Sequence, residues 1–324
     1  MQTSKRYFVL SVLLIFSMTN CAPPSTPATI PTNLPFSTMS LTPIPQEALE
    51  TVEGTFENQI SLLEKSMPRA ASEGYVIPSA EEQAGFFKLV SLIQSKQFPD
   101  AIQLATANYY RLNTYVDKGD DFATNYLLRE QRPIQKGWGL YAFRADSTSN
   151  MIIEAPHPLY DRKTPSIAMD IYRALDARAL LIAGAHRNAN SDGSADVAHA
   201  SESIFHSVHE SLVQEIQSKS ENAIVLQIHG FHTSKHEGYP QVVLGFGEDI
   251  HHAETTLAQE LEAALTAQGI EVGLCIDDTW RELCGRTNGQ GASDGAIFIH
   301  MELDEQVRKN DTALIAALLE VFGQ

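Results

Sequence analysis

Met151-Ile-Ile-Glu-Ala-Pro-His-Pro-Leu-Tyr-Asp161 reads as an apolar strand that runs out into a polar turn. Pro156 and Pro158 cannot extend a hydrogen-bond ladder, so the chain leaves the sheet there and delivers His157 at a strand end, with Asp161 four residues on. Two later stretches repeat the pattern. Ala223-Ile-Val-Leu-Gln-Ile228 ends in His229-Gly-Phe-His232, and Ala296-Ile-Phe-Ile-His-Met-Glu302 ends in a carboxylate. Strand ends of α/β sheets are where ligands and metals are held. Two histidines, an aspartate and a glutamate on three such strands are the parts of a single-metal hydrolase.

Composition agrees with a globular chain. Of 324 residues, 43% are hydrophobic and 19% charged, enough for one α/β domain and a smaller N-terminal piece. A formal net charge of −17 and the lack of a Lys/Arg cluster argue against nucleic-acid partners. All 11 histidines lie between His157 and His300, a segregation that scattered core histidines would not show.

The N-terminus reads as an export signal over residues 1–20. Lys5-Arg6 precedes an apolar run from Tyr7 to Phe16, shorter than the ~20 residues a membrane span needs. Cys21 follows, as in bacterial lipoprotein signals whose cysteine becomes the lipidated first residue, although Met18-Thr-Asn20 departs from their usual residues. The expected location is therefore extracytoplasmic, lipid-anchored to a bacterial membrane or else secreted or periplasmic. Residues 21–46, rich in Pro, Thr and Ser, read as a tether. Cys275 and Cys284, in a C-x8-C spacing that matches no usual zinc pair, are expected to form a disulfide outside the cytoplasm.

Residues 47–132 read as a helical subdomain. Leu49, Val52, Phe56, Ile60 and Leu63 form one helical stripe, Ser79-Ala-Glu-Glu82 spells a capping box, and a third helix is expected over Pro99–Val116. Strands and helices alternate over 133–324, beginning with an expected pair of neighbouring strands at 137–144 and 151–155. The expected fold is α/β in three layers, a mixed central sheet flanked by helices.

Zinc takes imidazole and carboxylate ligands, and a catalytic site uses three of them. His157, Asp161 and His229 supply that set, with one Zn2+ per chain. Glu302 is the candidate general base. Arg187 can hold a substrate carboxylate through its planar fork. Asp196 and His199 are candidates to hold a second metal or to orient a ligand histidine. His232, in the loop after His229, is a candidate substrate contact. A nucleotide-binding site is not expected, since neither G-x-G-x-x-G nor a Walker sequence is present.

With these residues assembled, 150–305 resembles the N-formylglutamate amidohydrolase-like enzymes, distant relatives of zinc carboxypeptidases and poly-γ-glutamate hydrolases. The resemblance rests on Ala155-Pro-His157 with Asp161, Asp170-Ile-Tyr172, His186-Arg187 through Asn190, Gln227-Ile-His229, and His300-Met-Glu302. It implies a zinc carboxypeptidase-like fold, His157, Asp161 and His229 on zinc, Arg187 with Asn190 on the substrate, and Glu302 as base. The pattern departs at two places. Tyr160 stands where the carboxypeptidase His-x-x-Glu has Glu, which leaves Asp170 and Glu154 open as alternatives to Asp161. Asn190-Ser-Asp-Gly replaces the Asp-Leu-Asn-Arg of the formylglutamate enzymes, which leaves the substrate open. The expectation is an exported amide- or peptide-cleaving zinc hydrolase acting on a small molecule or peptide with a carboxylate. The alternative is a non-catalytic lipoprotein that binds metal, peptide or cell wall on a hydrolase fold.

Overall fold

The computed structural model describes residues 48–133, 136–247, 252–276 and 279–323. The expected signal peptide, the tether and Cys21 lie outside them. Among the described residues, ten strands numbered in chain order share one sheet. Across it they run β1 (Thr51–Gly54), β2 (Tyr110–Asp117), β3 (Ala123–Glu130), β4 (Leu140–Arg144), β6 (Ala179–Ile182), β5 (Met151–Ala155), β7 (Ala223–Gly230), β10 (Ala296–Leu303), β8 (Val242–Gly245) and β9 (Val272–Leu274). The central strands β6, β5, β7 and β10 are mutually parallel, while antiparallel pairings occur at β2–β3, β3–β4, β4–β6 and β10–β8. The sheet is mixed, as expected.

Alternation along the strands divides the core in two. Ile153, Leu180, Leu226 and Ile299 pack with α1 (Phe56–Ser66), α4 (Thr164–Ala174), α6 (His252–Ala267) and α7 (Thr312–Phe322). Ile152, Leu181, Val225 and Phe298 pack on the other face with α2 (Ala80–Gln94), α3 (Phe98–Ala107) and α5 (Ile204–Gln217). Burial on both faces is why the central strands read as apolar runs. Each fully buried Leu, Ile or Phe is worth roughly 1.5–3 kcal/mol, so the sandwich holds its central strands firmly.

The helical reading of 47–132 is corrected on three elements. Thr51–Gly54 is a strand paired in parallel with β2, and α1 starts only at Phe56, where the Thr55 side chain accepts from the Asn58 N–H. The third helix ends at Ala107. Tyr110 to Asp117 then forms β2, because its aromatic and β-branched residues suit a pleated ladder to β3 better than a helix. The described residues from 48 onward thus make one compact unit built on one sheet, rather than a helical subdomain beside it. The helix over 80–94 does begin at the Ser79/Glu82 capping box.

Two further differences concern pairing. β4 and β5 are not neighbours, because β6 inserts between them, antiparallel to one and parallel to the other. β8, unanticipated in the sequence, borders β10. Its last residue, Gly245, lies against the Cys284 carbonyl, where an added Cβ would come within 2.1 Å of the oxygen. Cys275 and Cys284 form the expected disulfide. No described helix is long and apolar enough to cross a membrane.

Candidate metal centre

The C-terminal ends of β5, β7 and β10 meet at one edge of the sheet, and register aligns their polar residues in two rungs. Glu154, Gln227 and His300 are side by side, and one step farther along His229 is paired with Glu302. All share parity with Ile152, Val225 and Phe298, so they face the α5 side of the sheet. Beyond β5 the chain turns at Pro158, and the Asp161 N–H donates to the His157 carbonyl at 2.9 Å, which returns the aspartate beneath the imidazole.

His157, Asp161 and His229 are buried, and one potential ligand atom from each lies within 4.8 Å of the others. Nδ1 of His157 and Nδ1 of His229 each lie 3.2 Å from Asp161 Oδ2. The opposite nitrogens are held from behind, His157 Nε2 by Asp196 Oδ1 at 2.8 Å and His229 Nε2 by Gln227 Oε1 at 2.8 Å. Carboxylate and amide oxygens only accept, so the shorter contacts at 2.8 Å favour neutral tautomers with the proton on Nε2, while Asp161 Oδ2 is the competing acceptor at both Nδ1 atoms. In those tautomers both Nδ1 atoms and Asp161 Oδ2 offer lone pairs to one point. That donor set fits a cation, and histidine with carboxylate suits zinc.

Burial works against the charge of Asp161, yet the two imidazoles beside it hold its carboxyl well below the usual range. Burial likewise opposes charge on Asp196, but His157, His199 and Arg187 hold it low. Burial, aided by His300, pushes His229 well below its ordinary value. For His157 burial acts downward, but Asp161 and Asp196 raise it overall.

The open carboxylate question has a geometric answer. Asp161 joins the histidine pair. Glu154 faces His209 and Gln227 instead, and Asp170 sits on α4 near Arg173 and Asp311. Glu302 lines the cavity above the cluster; one of its oxygens is 3.5 Å from His300 Nε2 and the other is buried without a hydrogen-bond partner. Arg187 is paired with Asp196, and its Nη1 lies 3.4 Å from His157 Nδ1. His199 Nδ1 is 3.2 Å from Asp196. His232 is exposed at the cavity rim, 2.8 Å from Glu305. Asn190 is not in the cavity; its side chain bonds the Tyr75 backbone on both sides and so braces the segment before α2.

The cavity has a volume of about 790 Å³. In a strongly acidic chain it gathers six of the 23 Lys and Arg residues but only four of the 40 Asp and Glu residues. Arg162, Lys163, Lys235 and Lys309 line it with no ion-pair partner among the described residues. Arg308 spends its donors on the carbonyls of Arg162, Leu303, Asp304 and Phe231. The lining therefore favours anions.

Several supporting residues escaped the sequence reading. Gln227 was the legible one, a lone polar side chain in an apolar strand, two residues before His229 and on its face. Asn288 and Gln290, at the start of and within the 3-10 turn Gly289–Ala292, carry no periodic signal. Gly291-Ala-Ser293-Asp-Gly295 spells G-x-S-x-G, but it precedes a strand instead of joining strand to helix, which removes the nucleophile-elbow context.

No protein-family model matches this chain. No curated protein matches it either. Among solved structures, it is similar to the gene product Atu2144 from Agrobacterium tumefaciens, with 14% identity and a TM-score of 0.42 over 54% of this chain and 89% of that one. A bacteriophage poly-gamma-glutamate hydrolase follows at 13% identity and TM-score 0.37, covering 56% and 84%. N-formylglutamate amidohydrolase from Ralstonia eutropha JMP134 gives 10% identity and TM-score 0.38, covering 56% and 96%. The latter two are kinds of protein that the sequence resemblance names.

Proposed function

We propose that this protein is an exported, zinc-dependent hydrolase that cleaves an amide or peptide bond in a substrate bearing a carboxylate. The observation that carries the reading is the convergence of His157 Nδ1, Asp161 Oδ2 and His229 Nδ1, each imidazole held from behind, beside a glutamate oxygen that lacks a partner. His157, Asp161 and His229 would hold the ion. When bound, zinc supplies a Lewis acid and a water acidic enough to lose a proton near neutral pH.

The remaining work falls to the chain's own side chains. Glu302 takes the proton of the attacking water and returns it to the departing amine. Asp196 keeps the His157 ring oriented and Arg187 in place beside it. Arg187 and His232 meet the substrate near the scissile bond. The unpaired Arg162, Lys163, Lys235 and Lys309 attract its carboxylate from solution. Export rests on the N-terminal pattern and the Cys275–Cys284 bond, with lipidation of Cys21 the proposed anchor.

The test is turnover of a panel of peptides and γ-glutamyl amides with free carboxylates. Hydrolysis that stops with a chelator and returns with zinc supports the reading. Zinc bound at full occupancy with no turnover across the panel favours a binding protein on this fold.

A further inference from the structure

We propose that Glu154 is a positioning residue for His229, acting at one remove by orienting the side-chain amide of Gln227. The inference rests on the metal-site reading, but its geometry is independent of which substrate is cleaved.

Glu154 is fully buried on β5, and both of its oxygens are engaged. Oε1 meets His209 Nδ1 at 2.8 Å, and Oε2 accepts from Gln227 Nε2 at 2.9 Å. A carboxylate accepts only, so the nitrogen end of the Gln227 amide must face it. A second contact says the same. Gln227 Nε2 also donates to Gln290 Oε1 at 3.1 Å, and Gln290 is itself oriented by donating to the Val197 carbonyl at 3.1 Å. Gln227 Oε1 is left facing His229 Nε2, with Asn288 Nδ2 as its second donor.

An amide oxygen facing an imidazole nitrogen favours a proton on that nitrogen. The Gln227 oxygen at 2.8 Å is closer to His229 than Asp161 Oδ2, the acceptor at 3.2 Å on Nδ1, and so favours the Nε2–H tautomer that leaves the Nδ1 lone pair for an ion. Turned over, the same amide would donate to Nε2 and drive the proton onto Nδ1, the atom that must bind the ion. Asp196 sets the ring of His157 directly; Glu154 sets that of His229 through one intervening side chain.

Glu154 needs an anchor of its own in so dry a place, and His209 on α5 is that anchor. Its other nitrogen lies 2.9 Å from Ser293 Oγ. The line Ser293–His209–Glu154 has the residue types of a nucleophilic triad, but the Ser293 hydroxyl donates its single proton to Glu210 and so accepts from His209. A serine that accepts from the imidazole is not being activated by it, and the adjacent carboxylate would oppose an oxyanion. The line is a support for Glu154.

Long-range 1H–15N imidazole spectra of the metal-free full chain, labelled at histidine, read the tautomer directly, and zinc affinity is measured on the same samples by chelator competition. In the parent, His229 is expected as Nε2–H. Glu154→Met removes the charged one of the two acceptors on Gln227 Nε2, leaving Gln290 Oε1 as the weaker guide; a mixed or Nδ1–H His229 and zinc affinity reduced about 10- to 100-fold are expected. The swap Glu154→Gln with Gln227→Glu keeps the bond between the two side chains and an acceptor oxygen on His229 Nε2, giving up only the bond from position 227 to Gln290, and should restore Nε2–H and most of the affinity. A parent His229 already in the Nδ1–H form would overturn the proposal without any variant. So would a Glu154→Met protein with His229 wholly Nε2–H and parental affinity, or a swap that leaves His229 as Nδ1–H. A parent that binds no zinc defeats the metal-site reading, while the tautomer measurement still decides the role of Glu154.

Discussion

Glu302 on β10 is the register partner of His229 on β7, so a carboxylate with one unpartnered oxygen stands a single strand spacing from a buried imidazole. Adjacent strands lie about 4.8 Å apart, which places the base beside the ligand set without inserting it. Glu302→Gln is therefore expected to keep zinc and substrate affinity and to lose about 10²- to 10⁴-fold in kcat. Parental kcat in that variant would remove Glu302 from the chemistry.

Asp196 is the carboxylate on His157 Nε2 and also holds Arg187. Asp196→Asn should weaken zinc binding about 10- to 100-fold and raise KM as Arg187 is released. Titration with a competing chelator, alongside substrate kinetics, checks both effects.

Asp170 supplies a pH signature unconnected with the site. Burial, and then the charge of Asp311, raise its carboxyl from 3.8 to about 6. A folded-state pKa above the unfolded one means stability that is whole below about pH 4 and lost as pH climbs through about 6. Because the side chain is 39% exposed, solvent screening cuts the effect to ~1 kcal/mol. Asp170→Asn should stabilise the protein by that amount at neutral pH and by nothing in mild acid, as read from denaturant unfolding at the two pH values. An equal gain at both would show that the charge is not the cause.

The Cys275–Cys284 bond closes a short loop whose Glu282 and Leu283 line the cavity. The double substitution Cys275→Ser/Cys284→Ser is expected to cost about 2–3 kcal/mol of stability, the entropy of so small a loop. Urea unfolding midpoints compared with and without the bond measure it.

The central strands were legible because burial on two faces writes itself as Ile-, Val- and Leu-rich runs, and their polar ends announced His157, His229 and Glu302. The amino-terminal third was misread for a physical reason. Leu49 and Val52 fall at helical spacing from Phe56, yet Gly54 and the Thr55 cap separate them, and only a partner strand made later in the chain reveals 51–54 as a strand. Neighbour relations are similarly non-local, since β6 reaches the gap between β4 and β5 only after α4 has crossed the sheet. Within the site, local sequence placed Asp161 near His157 through the Pro158 turn. Arg187 also followed an apolar strand, but its attachment to Asp196 depends on how the loop from 183 to 200 folds back, and Asn190 is consumed by Tyr75, a residue 115 positions earlier.

The most direct test is the zinc content of the purified protein beside a His157→Ala/His229→Ala variant shown to be folded by circular dichroism. About one zinc per chain is expected in the parent and none in the variant. A parent that remains metal-free after exposure to zinc, or a double variant that holds as much as the parent, would contradict the metal centre and with it the proposed hydrolase.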